Sequence, residues 1–375
     1  MLKVLHICYG VGTGGVAAVI YNYYSHIDQS KVHFDVVAQK AENDSSRQMY
    51  GELLEQLGCK VFFVPPKSEN LAKNLFQLGG IIRTGKYDIL HIHMGPASLP
   101  YVALGKFLHV ENIIVHVHGA FDPTGWSSSR ITRLQQKLLE HMGNYQCMAC
   151  TKVAATQLWG ENTQVFILHN AFEIEKYCAD DARRAKMRDR LGIEDRLAIV
   201  DVGRLSEGKQ PLFMIDIFSA LQKVRPDSVL FMVGTGEMMQ ETKEYAKKHG
   251  LDETQVRFLG GRTDVAEILQ AMDVFVLPTL GEGLGIVYME AQAAGLPCFA
   301  PKGCVPQEVA ITPMFHEVEK PESLQAWVDA ILSHANERLQ ESPQQLLREA
   351  GYDICLEAGK LERYYEKLCE GDTDR

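Results

Sequence analysis

Short apolar segments alternate with longer amphipathic segments along the whole chain, and no other feature restricts the fold as strongly. Residues 197–202 (LAIVDV) and 274–277 (VFVL) are examples, each rich in branched or aromatic side chains and too short for an ordinary helix. Strands that are apolar on both faces are typical of a parallel sheet covered by helices on both sides. The sequence therefore predicts an α/β protein with doubly wound parallel sheets.

The length of the chain and the spacing of the strands predict two domains. A chain of 375 residues is long enough for two domains of ordinary size. We place the boundary at about residue 175, where a highly charged segment begins, with a second domain at 176–355 and a terminal helix at 356–375 that we expect to return to the first domain. The expected strands are residues 3–8, 34–38, 61–64, 88–93, 112–117, 146–149, 165–168, 197–202, 229–233, 256–259, 274–277 and 298–301.

A glycine-rich loop follows the first strand. Gly10, Gly12 and Gly15 match the G-x-G-x-x-G spacing that binds dinucleotide phosphates at the start of a helix. The acidic residue that would hold the ribose of NAD is missing, because the second strand ends in Gln39 and Asp35 lies at its other end. The motif is therefore weak evidence for NAD, although glycines at a helix N-terminus can admit a phosphate or a sugar.

Two cationic side chains follow the first strand of the second domain. Arg204 and Lys209 lie in the loop GRLSEGK, ahead of a helix that we expect at residues 211–224, with Pro211 in its first turn. A rigid guanidinium and a flexible ammonium at the carboxyl end of a strand could together hold a diphosphate. The simpler interpretation is a pair of solvated surface charges.

The segment Thr279–Gly295 (TLGEGLGIVYMEAQAAG) joins a strand to a helix expected at residues 286–294. Glu282 lies in its loop and Glu290 in the helix, and a helical spacing would bring the two side chains within about 80° of each other. The free N–H groups at the helix start suit an anion, while carboxylates accept hydrogen bonds from sugar hydroxyls. The alternative is a loop acid and a helix acid paired with neighbours.

Cysteine and histidine pairs were considered as metal sites. Cys147 and Cys150 are three apart on an expected strand, where their side chains point to opposite faces, so we expect core cysteines. The His91–His93 and His116–His118 pairs have no carboxylate or thiolate at ligand spacing, so we expect His91 and His116 in the core. His118 ends its strand, at the edge where doubly wound sheets bind ligands.

The charge is unevenly distributed between the two halves of the chain. Residues 1–180 contain 15 basic and 15 acidic side chains, whereas the remainder contains 23 basic and 33 acidic ones, which accounts for the net charge of −10. Nucleic acid is therefore not an expected partner. Residues 129–141 form an amphipathic helix with apolar positions 131, 134, 138 and 139 and a basic face that is either solvated or in contact with an anionic membrane.

The two glutamates of the strand-to-helix segment resemble the Glu-x7-Glu signature of retaining glycosyltransferases of the GT-B fold, family 4-like. The sequence of the segment EGLGIVYMEAQAAGLP is most similar to the bacterial exopolysaccharide and capsule branch. Further motifs that match the family occur in the same order along nearly the whole chain. The resemblance implies two Rossmann-like domains facing a cleft, with acceptor binding mainly on residues 1–175 and donor binding mainly on residues 176–355.

The resemblance also implies roles for individual residues. His118 would contact the donor sugar, Arg204 and Lys209 would stabilise the leaving diphosphate, Glu282 would hold sugar hydroxyls and Glu290 the ribose. The expected catalytic set is His118, Arg204, Lys209 and Glu282. The expected donor-binding set is Gly14, Gly15, Arg204, Lys209, Gly234, Arg262, Glu282, Gly283, Leu284, Gly285, Ile286 and Glu290.

The implied reaction is transfer of a sugar, with retention, from a nucleoside diphosphate sugar to an acceptor hydroxyl in cell-surface polysaccharide assembly. Family habit suggests UDP-hexose or UDP-N-acetylhexosamine as donor, and a glycan or lipid-linked oligosaccharide as acceptor. No essential metal or other cofactor is expected, since an Asp-x-Asp in apolar strand context was not found. The alternatives are a GT-B nucleotide-sugar epimerase, an NAD-dependent oxidoreductase and a non-catalytic sugar-binding protein.

The sequence gives no segment long and apolar enough to span a bilayer and no recognisable signal peptide. We therefore expect a cytoplasmic protein, and contact of its N-terminal domain with the inner face of the membrane stays an open alternative.

Overall fold

The computed structural model describes residues 1–12, 14–40, 48–119, 130–193, 195–339 and 343–371. The chain divides into two compact units, of which the first comprises Met1–Phe172 together with the residues from Gly351 onward. The second unit comprises Glu173–Ala350. The first division lies three residues before the expected boundary at 175.

The first unit contains a seven-stranded sheet in which every neighbouring pair is parallel. Its strand order is β3-β2-β1-β4-β5-β6-β7. Its elements in this part of the chain are β1 (Leu2–Cys8), α1 (Gly15–His26), β2 (Val32–Gln39), α2 (Met49–Gln56), β3 (Val61–Val64), α3 (Lys67–Gly85), β4 (Ile89–Ile92), α4 (Leu99–Phe107), β5 (Asn112–Val117), α5 (Arg130–Met142), β6 (Gln146–Ala149), α6 (Lys152–Trp159) and β7 (Phe166–Ile167).

The strand order of this sheet reverses between β1 and β4. Loops that leave two parallel strands on opposite sides of such a reversal diverge, which opens a crevice at their carboxyl ends. The glycine loop after β1 leads to Gly14, which precedes α1, and His93 follows β4 directly. The reversal therefore places the first glycine motif beside a histidine pair.

The second unit contains a six-stranded parallel sheet in the order β10-β9-β8-β11-β12-β13. Here the order reverses between β8 and β11, the strands that precede the loops of Lys209 and Glu282. The elements of this unit are α7 (Ile174–Tyr177), α8 (Asp181–Leu191), β8 (Leu197–Val202), α9 (Pro211–Val224), β9 (Ser228–Val233), α10 (Met239–Lys248), β10 (Val256–Gly260), α11 (Val265–Ala271), β11 (Val274–Val276), α12 (Ile286–Ala293), β12 (Cys298–Pro301), β13 (Phe315–Val318), α13 (Leu324–His334) and α14 (Gln344–Glu349).

Most expected strands occur within one or two residues of their observed bounds, and the differences have physical causes. The charged segment after residue 173 contains helix α8, which begins where the Asp180 side chain accepts a hydrogen bond from the Arg183 backbone N–H. This cap and the helix propensity of Arg, Lys and Ala outweigh its polarity. Strand β13 was not expected, because its sequence FHEV lacks a continuous apolar pattern.

The last helix, α15 (Ile354–Glu370), is part of the first unit. Its apolar side packs into the first unit's core, with Ala358, Leu361 and Tyr365 all buried. A single parallel bridge between Phe172 and Asp353 joins the two segments of this unit. The Asp353 side chain accepts a hydrogen bond from the Cys355 backbone N–H and so caps the start of the helix.

The loops after β8 and β9 approach each other so closely that one position requires glycine. Gly234 has φ +143°, and a Cβ atom there would lie 1.8 Å from the carbonyl oxygen of Gly203. Backbone hydrogen bonds from Gly203 to Val233 (2.9 Å) and from Leu205 to Thr235 (3.1 Å) hold this approach. Gly234 was expected to contact the donor, and the structure gives it a packing function in the second unit.

We predict that Gly234→Ala lowers the free energy of unfolding by more than about 3 kcal/mol, because it adds a backbone clash to an unfavourable φ. The matched control is Gly250→Ala, where φ is +74° but a Cβ atom would meet nothing within 4 Å. This control should cost only about 1–2 kcal/mol. Urea unfolding of both variants measures the difference, and equal losses would contradict the packing argument.

Candidate active site

The loops after β8 and β11 are joined by hydrogen bonds around one carbonyl group. The Gly208 carbonyl oxygen accepts hydrogen bonds from the Leu280 backbone N–H (2.9 Å) and from the Thr279 hydroxyl (3.1 Å). The Glu282 backbone N–H donates to the Cys304 carbonyl oxygen at 2.8 Å, which ties the same loop to the segment after β12. The loops of Lys209 and Glu282 therefore form one structure at the reversal point of the second sheet.

Lys209 and Glu282 form an ion pair at this point. The Lys209 ammonium donates to Glu282 Oε1, and the Glu282 side chain is only 8% exposed. Asp201, near the end of β8, is also buried, and burial raises the pKa of its carboxyl to about 7. The Lys209 charge lowers this pKa and the Glu282 charge raises it. The site therefore combines the Lys209–Glu282 ion pair with a buried carboxyl group, Asp201, whose pKa both charges influence.

Asp201 is a polar residue of this site that the sequence argument missed. Its signal was present, since it is the only charged residue in the strand LAIVDV and stands one position before the strand's end. A carboxyl group on an otherwise apolar strand is costly to bury unless nearby charges or hydrogen bonds compensate.

Arg204 and Lys209 each contact a different acidic residue in the structure, so they do not form a joint cationic site there. Arg204 is mostly exposed, and its guanidinium contacts Glu237 at 3.1 Å. Arg262 likewise makes two hydrogen bonds to its neighbour Asp264, at 2.7 and 2.6 Å. Asp264 directly precedes α11, but its side chain accepts no hydrogen bond from that helix.

Helix α12 begins with a glycine in the left-handed region. Gly285 has φ +72° and precedes Ile286, and no described side chain caps this end of the helix. The backbone N–H groups of the first turn, together with Gly283 and Leu284 before it, present positive partial charge to an anion. Because α12 begins only at Ile286, Glu282 lies outside the helix, and the argument that helical spacing aligns it with Glu290 is wrong.

Glu290 lies within α12 and has a tyrosine partner. Burial raises the pKa of its carboxyl to about 7, and a hydrogen bond from the Tyr177 hydroxyl at 3.1 Å acts in the opposite direction. Tyr177 belongs to the short helix α7, far from Glu290 in sequence, and no motif in the sequence indicated it. The carboxyl group is therefore held in place and close to its titration point at neutral pH.

In the first unit, His118 follows β5 and has both ring nitrogens in hydrogen bonds. Nδ1 lies 2.7 Å from the Asn170 side-chain oxygen, and Nε2 lies 2.6 Å from His93 Nδ1. Burial lowers the pKa of His118 to about 4. His91 and His116 are both 1% exposed, which confirms the expectation that they are core residues.

His118 lines a cavity of about 900 Å³ that lies wholly within the first unit. Its walls are mainly apolar, and one lysine, Lys67, lies among them with its ammonium 5.5 Å from the centre of the Tyr9 ring. Burial lowers the pKa of Lys67. The apolar wall residues are Val16, Leu71, Met94, Pro96, Ala97, Pro100, Val117 and Ile131.

Helix α5 borders this cavity and differs from its predicted packing. Leu139 is buried, but Ile131, Leu134 and Leu138 are 70%, 58% and 48% exposed. Most of the apolar face that periodicity predicted is therefore at the surface of the described structure. The segment between His118 and this helix includes residues 120–129, which lie outside the described residues.

The glycine loop of the first unit does not have the surroundings of an NAD site. A Cβ atom at Gly14 or Gly15 would meet nothing within 4 Å, so the space beside both glycines is open. At the end of β2, the Gln39 amide donates to the Tyr101 hydroxyl at 2.9 Å and accepts from the Lys67 backbone N–H at 3.1 Å. Gln39 is thus bound within the protein and offers no ribose-binding carboxylate.

Three groups of side chains among the described residues have nitrogen or oxygen atoms close enough to hold one metal ion. Two of them use the histidines of the first sheet, but His93 and His118 already spend both ring nitrogens on hydrogen bonds. The third, at the edge of the second sheet, joins His316 and His334 to Glu337, and His334 contacts Glu337 at 2.8 Å. Of the expected site residues, His118 alone belongs to one of these three groups. Cys147 and Cys150 form no disulfide.

Comparison with known proteins assigns a class to this arrangement. Residues 13–176 match the family Glycosyltransferase Family 4, and residues 183–352 match the family Glycosyl transferases group 1. A putative glycosyltransferase, EpsF of Bacillus subtilis (strain 168), is 28% identical over 100% of this chain and 98% of its own length. The chain is a glycosyltransferase of the GT-B type, assembled from a family 4-like half and a group 1 half.

Further relatives agree with this class. The UDP-Gal:alpha-D-GlcNAc-diphosphoundecaprenol alpha-1,3-galactosyltransferase of Escherichia coli is 29% identical over 64% of this chain and 65% of that protein. Among solved structures, Anabaena Alr3699/HepE in complex with UDP and glucose has a TM-score of 0.77 at 17% identity, covering 98% of this chain and 100% of that one. WaaG, a glycosyltransferase involved in lipopolysaccharide biosynthesis, has a TM-score of 0.67 at 18% identity, covering 99% and 100%.

We predict that acid weakens the first unit. Burial holds the pKa of His6 at about 3 and that of His118 at about 4, and it keeps the pKa values of His91, His93 and His116 well below the ordinary 6.5. The unfolded chain binds more protons than the folded chain below pH 6.5, so stability is lost as the pH falls. The effect approaches about 1.4 kcal/mol per pH unit for each group.

Two carboxyl groups of the second unit have the opposite effect on the pH dependence of stability. Asp201 and Glu290 have pKa values raised to about 7, so the stability that each contributes is present at low pH and is lost as the pH rises toward 7. Calorimetric unfolding should therefore show the first unit's transition at a lower temperature at about pH 5 than at about pH 7. His6→Phe should flatten this shift, whereas the exposed-site control His141→Phe should not. An equal effect of both variants would contradict the assignment.

Proposed function

We propose that this glycosyltransferase transfers a hexosyl group from UDP-hexose or UDP-N-acetylhexosamine to a hydroxyl of a glycan or lipid-linked oligosaccharide, with retention of the anomeric configuration. The observation that carries the proposal is the Lys209–Glu282 pair beside the uncapped start of α12. It combines a cation and a helix N-terminus for a diphosphate with a carboxylate for hydroxyls. Cell-surface polysaccharide assembly is the proposed setting, and the relative named for a GlcNAc-diphosphoundecaprenol acceptor supports it.

Lys209 is the group that would exchange partners when the donor binds. Its side chain is 27% exposed and its ammonium is held by Glu282, so a diphosphate can compete for it without unfolding the loop. Once the ammonium turns to the diphosphate, Glu282 is free to accept hydrogen bonds from the sugar. Arg204, exposed on the same loop, would move from Glu237 to the same diphosphate.

Glu290 would hold the two ribose hydroxyls. Its carboxyl group is buried in α12 and fixed by Tyr177, so it is directed by the protein before the nucleotide arrives. The nucleobase would contact the loop of Arg262 mainly through backbone atoms, since the Arg262 guanidinium is engaged by Asp264.

In the proposed reaction the bond between the anomeric carbon and the diphosphate oxygen breaks, and a bond from the acceptor oxygen to that carbon forms on the same face. The acceptor proton passes to the departing diphosphate. Lys209, Arg204 and the N-terminus of α12 would stabilise the negative charge that develops on the leaving group. No protein nucleophile is assigned, and the two cations would take the place of an essential metal.

The apolar cavity of the first unit supports an acceptor that carries an apolar group. The cavity walls are mainly apolar, although three histidines, Ser68, Thr132 and Gln135 also line it, and Lys67 supplies one cation. An acceptor with a hydrocarbon chain and a phosphate would match both features. Ile131, Leu134 and Leu138 would extend this contact to a membrane surface. No helix among the described residues is long and apolar enough to cross a membrane.

We predict that UDP and one UDP-sugar raise the midpoint of thermal unfolding, and that EDTA leaves the shift unchanged. A ligand at about 100 times its Kd stabilises the folded state by about 2.7 kcal/mol, which is easily measured. GDP, ADP, CMP and NAD⁺ serve as comparison ligands. A shift with NAD⁺ alone would contradict the donor site, and loss of the UDP effect in EDTA with recovery in Mg²⁺ would contradict metal independence.

We predict different effects for the two glutamates. Glu290→Ala should weaken UDP binding by about ten-fold or more, because it removes a charged hydrogen-bond acceptor from the ribose. Glu282→Ala should leave UDP binding within a few-fold but lower the transfer rate, since Glu282 is assigned to the sugar. Calorimetric titration with UDP and a transfer assay separate the two effects. Equal loss of UDP affinity in both variants would contradict these roles.

We predict that the transfer rate depends on the hydrocarbon part of the acceptor. Two acceptors with the same sugar, one free and one on an alkyl phosphate, should differ in KM by at least about ten-fold in favour of the alkyl compound. Ala97→Trp, which fills the cavity, should remove this preference while UDP binding stays unchanged. Turnover of the donor to an epimer without any acceptor would contradict transfer as the reaction.

A further inference from the structure

A line of hydrogen-bonded side chains crosses three strands of the first sheet and runs from His6 to Asn170. His6 Nδ1 lies 2.8 Å from His93 Nε2, and His93 Nδ1 lies 2.6 Å from His118 Nε2. His118 Nδ1 then lies 2.7 Å from the Asn170 side-chain oxygen. These four residues, which we call the His6–Asn170 chain, come from β1, from the segments that follow β4 and β5, and from the segment after β7.

The orientation of Asn170 fixes the first proton in this chain. The Asn170 side-chain nitrogen donates to the His118 carbonyl oxygen at 3.3 Å, which accepts only. A flipped amide would set two acceptor oxygens against each other, so the side-chain oxygen must face His118 Nδ1. Because this oxygen cannot donate, His118 Nδ1 carries the hydrogen.

Each remaining proton follows from the one before it. His118 is neutral near pH 7, so a protonated Nδ1 leaves Nε2 as an acceptor, and His93 Nδ1 must donate to it. His93 is neutral too, which leaves its Nε2 to accept from His6 Nδ1. The chain ends at His6 Nε2, a buried acceptor that has no partner in the described structure.

The other two buried histidines do not compete for these nitrogens. His91 Nδ1 lies 2.6 Å from the Tyr365 hydroxyl of α15, and His91 Nε2 lies 3.1 Å from His116 Nδ1. This second line uses ring atoms that the His6–Asn170 chain leaves alone. Two separate sets of hydrogen bonds thus hold the five neutral histidines of this core. The direction of the His6–Asn170 chain therefore depends on Asn170 and not on His91 or His116.

We infer that Asn170 and His93 are positioning residues that hold His118 as a neutral group with its single lone pair on Nε2. The inference rests on the proposed function and on the expectation, implied by the family resemblance, that His118 contacts the donor sugar. Asn170 engages His118 Nδ1 and His93 engages His118 Nε2, so the ring is fixed in one orientation and carries no positive charge. A phosphate or ring oxygen, which only accepts, finds no free ring hydrogen on His118.

The first test measures the tautomers directly by nitrogen-15 NMR of the full-length protein labelled at histidine. His6, His93 and His118 should each carry hydrogen on Nδ1 at neutral pH, whereas a free neutral imidazole favours hydrogen on Nε2. A cationic His118, or one with hydrogen on Nε2, would overturn the inference. This measurement needs no substrate, so it stands even if the chain fails to transfer UDP-linked sugars and the proposed function fails.

The second test uses a pair of buried asparagines of the first unit. Asn170→Leu should lower kcat/KM by at least about ten-fold and leave the UDP affinity unchanged, because it frees His118 Nδ1 without touching the donor site. Asn74→Leu is the matched control: Asn74 is fully buried, donates to the Pro65 carbonyl oxygen at 2.7 Å, and is not part of the chain. Equal losses of kcat/KM in both variants would overturn the positioning role of Asn170.

The third test is rescue at His93. The amide nitrogen of an asparagine occupies nearly the place of histidine Nδ1, so His93→Asn should keep a donor to His118 and retain most of the activity. His93→Leu removes that donor and should lose at least about ten-fold in kcat/KM, together with the Nδ1–H signature of His118. Comparable activity of the two variants would overturn the role of His93.

Discussion

Parallel pairing of β1 with β4 and of β8 with β11 is the constraint on which the rest of the molecule depends. A parallel strand cannot be reached by a hairpin, so each connection returns over a face of the sheet, and both faces become buried. Where the strand order reverses, the two loops leave in opposite directions. Each unit therefore has one edge at which polar backbone and side chains can collect without disturbing a core.

The two units satisfy buried polar groups at this edge in different ways. The second unit holds opposite charges, Lys209 with Glu282, and keeps Asp201 close to its titration point. The first unit holds neutral imidazoles whose hydrogen bonds run from one ring to the next. A buried ion pair can be separated by a charged ligand that offers equal compensation, whereas a neutral chain keeps one arrangement. The second unit therefore holds charges that a ligand can exchange, whereas the first unit holds a fixed and uncharged arrangement.

The sequence predicted the fold well because its signals are local. A run such as LAIVDV is apolar on both faces, and this alone favours a buried parallel strand. Elements held by a single cap or by tertiary packing were missed, as α8 and β13 illustrate. At the site, the loops of Lys209 and Glu282 could be predicted to meet because both follow strands of one sheet. The partners of Arg204, Arg262 and Glu290 could not be predicted. Glu237, Asp264 and Tyr177 belong to no motif, and only the folded structure shows that they lie close enough to bind these side chains.

The membership of α15 in the first unit has a consequence for how the protein is made. The ribosome releases residues 1–172 long before residues 354–370, yet Tyr365 fills the space beside His91 and Leu361 completes the same core. During synthesis the first unit is therefore an open sheet with an exposed apolar flank, while the second unit, built from consecutive residues, already has all of its strands. The unit that is translated first is the one that closes last.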